Sequence, residues 1–149
     1  MSSQLENNKA QELISFVTPF VDHNELIQPV TRFFVKSYPA SINVKLQIGL
    51  INLRKNSRYS IKLFITPHHL FTKVGNEFEL SNPFQEMFSG VITTKDTDIN
   101  IIDGQLNINI EDVIIKTEGI YSVECKLFDS KNESTELNSL KSFFVVSVE

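Results

Sequence analysis

Apolar and polar residues alternate with a period of two over several stretches of this chain. The longest has Ile42, Val44, Leu46, Ile48 and Leu50 on one side and Asn43, Lys45, Gln47 and Gly49 on the other, the pattern of a strand with one buried face. After the polar Arg54-Lys55-Asn56-Ser57, Tyr59, Ile61, Leu63 and Ile65 repeat it until Pro67. Two such runs around a short polar loop predict an antiparallel hairpin. Leu106, Ile108 and Ile110 alternate after the turn signal Asp103-Gly104, and Tyr121, Val123, Cys125 and Leu127 share another face. A polar loop from Asp129 to Glu136 then leads to a closing strand, Ser142 to Val148.

The first half reads less evenly. Leu13 to Val21 is apolar and β-branched, which favours a strand over the competing helix across residues 4–17, and Pro19 restricts it to an edge or a bulge. Asp22-His23-Asn24-Glu25 has hairpin composition, and a second strand would run from Leu26 to Lys36 and stop at Tyr38-Pro39. In the irregular stretch 68–95, Asn82 to Phe88 suits one helical turn, with weak strands near Glu77–Leu80 and Gly90–Thr94. With 12 Phe, no Trp and 5 Gly, the composition favours strands. The expected fold is an all-β, antiparallel, immunoglobulin-like sandwich of about seven to nine strands with at most one short helix. Residues 1–10 would be a flexible arm and 11–149 one domain.

Glu118-Gly119-Ile120-Tyr121 is a corner signature: a β-sandwich often begins its next-to-last strand with a Tyr whose hydroxyl bonds back to upstream backbone. The layout as a whole resembles a bacterial family of single-domain β-sandwich proteins of uncharacterised activity. The resemblance runs over nearly the full length and is carried by the turn Asp22 to Glu25, the aromatic-Pro pair Tyr38-Pro39, the long alternating hairpin, Gly119-Ile120-Tyr121 and the strand Phe143 to Val148. The closing half is also similar to immunoglobulin-like and fibronectin-like modules. The resemblance implies a fold and transfers no catalytic residue.

Composition narrows the function classes. Hydrophobic content of 41% and charged content of 21% are globular values, and no apolar run approaches the ~18 residues of a membrane span. A single cysteine, Cys125, excludes an internal disulfide and on its strand face reads as core. The first residues lack a basic start followed by an apolar run, so the expected compartment is the cytoplasm. The Ile, Asn and Lys bias suits an AT-rich bacterial or phage genome. Net charge is −4, yet residues 1–75 carry nine Lys/Arg against four Asp/Glu, and residues 76–149 carry five against fourteen.

Candidate chemistry is sparse. His68-His69, with His23 or Asp22 as a third ligand, and the cluster Asp96, Asp98 and Asp103 are the only groupings that invite a metal, and neither has ligand spacing. There is no Gly-x-Ser-x-Gly, no glycine-rich phosphate loop, and Glu77 and Glu79 show no reason for a shifted pKa. We therefore expect no catalytic, metal or cofactor residue. The best candidate is a protein-binding surface made of Lys45, Arg54, Lys55, Arg58, Lys62 and Phe64, basic and aromatic residues on one hairpin. The acidic pI near 5.4 disfavours nonspecific nucleic-acid binding. Ile51, Phe64, Phe128, Phe144 and Val146 lie opposite the alternating core set, so either residues 70–92 cover them or they bind another chain. The expected function is a noncatalytic protein-binding or self-associating module. The alternatives are a metal- or carbohydrate-binding sandwich, or a phage or mobile-element inhibitor of a host factor.

Overall fold

A computed structural model describes residues 11–71, 86–95 and 101–149. The predicted arm at 1–10, the weak strand near Glu77–Leu80, residues 82–85 of the predicted helical turn, and Asp96 and Asp98 lie outside the described residues. Nine strands follow in chain order: β1 Leu13–His23, β2 Leu26–Pro29, β3 Arg32–Val35, β4 Ala40–Arg54, β5 Arg58–Leu70, β6 Glu86–Thr93, β7 Ile101–Ile115, β8 Gly119–Asp129 and β9 Asn132–Val148. They form a four-stranded sheet, β2-β1-β4-β7, and a five-stranded sheet, β3-β9-β8-β5-β6. The protein is a two-sheet all-β sandwich, antiparallel except for the parallel pair β3 and β9.

Between the sheets lie the alternating faces expected from the pattern: Val44, Leu46 and Ile48 from β4, Ile61 and Leu63 from β5, and Val123, Cys125 and Leu127 from β8 are all 1% exposed or less. Burial alone pushes the Cys125 thiol up to about 12, so it remains a protonated packing group. Leu13 to Val21 is strand, and Pro19 lies one residue outside the stretch of β1 that β2 pairs.

Four expectations about turns and strand pairing fail. The predicted hairpin of β4 and β5 is an arch: β4 pairs with β1 and β7, and β5 with β6 and β8, so the chain crosses between sheets at residues 55–57. Tyr59 points inward, and its hydroxyl accepts the Arg54 backbone N–H at 2.8 Å, taking the place of a hairpin partner. The buried Thr94, just beyond β6, donates to the Arg54 carbonyl at 2.6 Å and accepts the Ser57 N–H at 2.9 Å. These bonds satisfy the arch backbone that a ladder would otherwise hold.

The predicted strand Leu26 to Lys36 is likewise two strands in different sheets. Pro29 has no N–H to continue a ladder; beyond it Val30 donates to Pro19 in the four-stranded sheet, while Thr31 accepts from Val145 in the five-stranded one. Asp103-Gly104 is not a turn but part of β7, opposite a bulge in β4 where Asn52 adopts φ 61°. The Asp103 carboxylate accepts the Asn52 N–H there at 3.2 Å. The loop predicted from Asp129 to Glu136 shrinks to a tight turn at Ser130-Lys131, and β9 starts at Asn132.

The corner tyrosine behaves as its signature predicts. Tyr121 donates to the Thr117 carbonyl at 2.5 Å, and its ring stacks on Phe144 with centroids 5.8 Å apart. Burial outweighs that bond and raises its hydroxyl pKa to about 12. Gly119 is required beside it, because a Cβ would fall 2.4 Å from the His69 carbonyl oxygen and 2.8 Å from the Leu70 Cα.

Candidate binding surface on the five-stranded sheet

Lys-Leu-Phe occurs twice in this sequence, at 62–64 and at 126–128. The two copies lie on adjacent antiparallel strands, with Lys62 directly opposite Lys126. Leu63 and Leu127 point into the core and are fully buried, so strand alternation turns both lysines and both phenylalanines outward. Facing lysines repel. The register relieves this by crossing the pairs: Lys62 Nζ lies 5.5 Å from the Phe128 ring centre, and Lys126 Nζ lies 5.7 Å from the Phe64 ring centre. Each contact contributes about 0.5–1 kcal/mol at an exposed site. Glu136 at 3.3 Å and Glu124 at 3.9 Å from Lys126 Nζ add negative charge beside the quartet.

The same face continues outward along the sheet. Ser122 and Thr66 hydroxyls are hydrogen-bonded at 2.8 Å, and the His68 ring leans on Phe143 with centroids 4.9 Å apart. Phe143 is 45% exposed and Phe34, on β3, is 61% exposed. Arg32 lies along the same side, its Nη1 donating to Ser147 Oγ at 3.0 Å. Register places Lys141 opposite Glu124 on this face as well. Among the described side chains the face therefore carries Arg32, Arg58, Lys62, Lys126 and Lys141 against Glu124 and Glu136, a basic and aromatic surface on an acidic protein.

The predicted surface is divided by the arch. Arg58, Lys62 and Phe64 share the outer side of β5. Lys45 lies on the outside of the opposite sheet, 3.1 Å from Asp22 Oδ2. Arg54 ends β4, with Nε 4.0 Å from Glu12 Oε1, and Lys55 stands exposed in the arch. Of the apolar residues read as outward, Phe64 and Phe128 are half-buried on this face, and Ile51 is half-buried on the other sheet. Phe144 and Val146 are instead in the core, because register sets Phe144 beside Tyr121 and Val146 beside Gly119. Their neighbours Phe143 and Val145 take the outer side. The stretch 70–92 does not cover this face with its described part: Glu86 to Thr93 is β6, which extends the sheet sideways. Lys126 and Phe143 escaped the sequence reading, although the repeated Lys-Leu-Phe was a signal for the first.

The remaining candidates separate. His69 leans on Phe71, with centroids 5.8 Å apart, away from His68 on Phe143. Among the described residues no three His, Cys, Asp or Glu side chains are placed to hold one metal ion. No helix among them is long and apolar enough to cross a membrane. On the four-stranded sheet the Phe16 ring lies over Gly49, in space a Cβ would need, beside a shallow groove of 390 Å³ that also touches Asp103 and Gln105.

No protein-family model and no curated protein sequence matches this chain. In fold it is similar to a bacterial adhesin from Mobiluncus mulieris containing intramolecular disulfide, isopeptide and ester bond cross-links, with a TM-score of 0.54 and 11% identity. That alignment covers 94% of this chain and 58% of the adhesin chain. A second crystal form of the adhesin aligns at a TM-score of 0.46, with 10% identity over 93% of this chain and 58% of that one. A putative beta-galactosidase from Bacteroides fragilis aligns at 0.44, with 9% identity over 89% of this chain and 17% of the enzyme chain. The first alignment agrees with the two-sheet β-sandwich fold of this chain. The other two score too low to carry an argument.

Proposed function

We propose that this domain is a noncatalytic interaction module of the bacterial cytoplasm that binds a protein partner through the outer face of its five-stranded sheet. The observation that carries the reading is the crossed Lys62, Phe128, Lys126 and Phe64 quartet, flanked by exposed Phe143 and Phe34. Aromatic side chains on a rigid sheet supply buried contact area at low entropic cost, and the cations among them favour an acidic partner and speed its approach. The compartment is part of the proposal; one cysteine held as a buried thiol suits a reducing environment.

Quantitative affinity capture from native bacterial lysate tests it with wild type, Lys62→Glu/Lys126→Glu, Phe128→Ala and a control, Lys45→Glu on the opposite sheet. A partner retained by wild type and by the control is expected to be lost with the double charge reversal and weakened with Phe128→Ala. Identical partners on all four proteins would reject this face as the contact surface.

A further inference from the structure

The edges of the two sheets differ in how they are guarded. β2 is four residues long and ends in Pro29, and β3 is four residues long and begins with Arg32. Short strands, proline and cationic side chains are the usual protections of an edge against pairing with another chain. The other two edges, β6 and β7, have none of them, and β7 is the longer. It is fifteen residues long, and among the described residues it pairs on one side only, with β4. Between two bulges it runs in unbroken register with β4 from Gly104 to Ile110. Those seven residues, Gly-Gln-Leu-Asn-Ile-Asn-Ile, contain no charge and no proline.

The core also opens at this edge. Leu106 and Ile108 are half-exposed, whereas Ile48 and Leu46, their partners on β4, are completely buried. Asn107 and Asn109, on the outer side, are exposed. Every second N–H and C=O of such a strand points away from its single neighbour. The edge therefore offers both outward-pointing backbone bonding groups and apolar side chains that the core covers only in part.

We propose that β7 joins two copies of this chain, antiparallel across a two-fold axis at Ile108, making one continuous eight-stranded sheet from two four-stranded ones. This register is self-complementary. It sets Ile108 beside its own copy and Leu106 beside Ile110 on the core side, and Asn107 beside Asn109 twice on the outer side. No charged residue enters the pairing between Gly104 and Ile110; Glu111 and Asp112 lie beyond it, at the bulge where Asp112 adopts φ 57°. An axis one residue earlier, at Asn107, would set Ile110 against Gly104, which offers it no apolar side chain, and is disfavoured for that reason. The contact lies on the opposite sheet from the Lys-Leu-Phe face, so either can fail without the other.

Sedimentation velocity on the full chain from micromolar to millimolar concentration tests the proposal, with circular dichroism checking that each exposed-site variant folds. Wild type is expected to show a monomer-dimer equilibrium. N107K/N109K sets like charges opposite twice and should weaken the dimer about tenfold or more. N107K/N109E sets opposite charges across the same axis and should restore it, an outcome that only this register produces. A wild type that stays monomeric throughout, a dimer indifferent to N107K/N109K, or equal weakening by both variants would overturn the proposal; capture of a foreign strand by a monomeric chain would be one form of the first result.

Discussion

On the four-stranded sheet the outward positions of β4 and β7 hold Lys45, Gln47, Asn107 and Asn109; on the five-stranded sheet those of β5, β8 and β9 hold Lys62, Phe64, Lys126, Phe128, Lys141 and Phe143. Inward, both sheets present the same Val, Ile and Leu. The four-stranded sheet turns apolar groups outward too, but without cations among them: Phe16 over Gly49 with Ile51 near it, and Ile114, which is 60% exposed. The five-stranded sheet interleaves its rings with cations, and leaves Phe143 on β9 and Phe34 on β3 exposed. A fold needs one apolar face per sheet, so rings interleaved with cations along an outer face point to contact with something else.

The comparison breaks most sharply at two adjacent residues. Phe144 is 1% exposed and Phe143 is 45% exposed. Phe144→Ala should cost about 3–5 kcal/mol in urea unfolding through lost burial and the cavity left behind. Phe143→Ala should cost under about 1 kcal/mol, as expected for an exposed position. Equal losses would mean that the outer face is covered.

Next in size is the corner that joins the sheets. Gly119→Ala drives a Cβ into the His69 carbonyl and Leu70 Cα, and should destabilise by about 1–3 kcal/mol, with backbone displacement of β5. Tyr121→Phe leaves the Thr117 carbonyl without its partner and should cost about 1–3 kcal/mol. The hydroxyl also leaves a pH signature. Its folded pKa is raised from 10.0 to about 12, so its contribution is complete below pH 10 and is lost as pH rises toward 12. In a pH series of unfolding curves, Tyr121→Phe should flatten the fall between those limits.

The smallest effect is within the quartet. A double-mutant cycle of Lys62→Met and Phe128→Ala should give a coupling of about 0.5–1 kcal/mol, reporting the cation over the ring. Zero coupling would mean that the face is only coincidentally ordered before a partner arrives.

Much of this was legible locally. Strand alternation is a property of the extended backbone, so Val44, Leu46, Ile48, Ile61, Leu63, Val123 and Cys125 could be assigned to buried faces without knowing their neighbours. The corner was legible too, since Gly119-Ile120-Tyr121 closes a hydrogen bond within a few residues. Phe143-Phe144-Val145-Val146 has no period, and nothing inside it says which side is inward. The repeated Lys-Leu-Phe was visible as a motif, but its meaning depends on a register that sets lysine against lysine.

By itself, then, the amino-acid sequence determined an all-β chain, the inward face of its regular strands and the tyrosine corner, because each rests on backbone geometry within a few residues. Only tertiary structure decided which sheet each strand joins. The arch at residues 55–57 put Lys45 and Lys62 on opposite sides of the molecule, and the switch after Pro29 divided one predicted strand between two sheets. The choice between hairpin and arch lies with distant partners, among them Thr94 under the arch and Val145 beside Thr31, which compete for the same backbone groups.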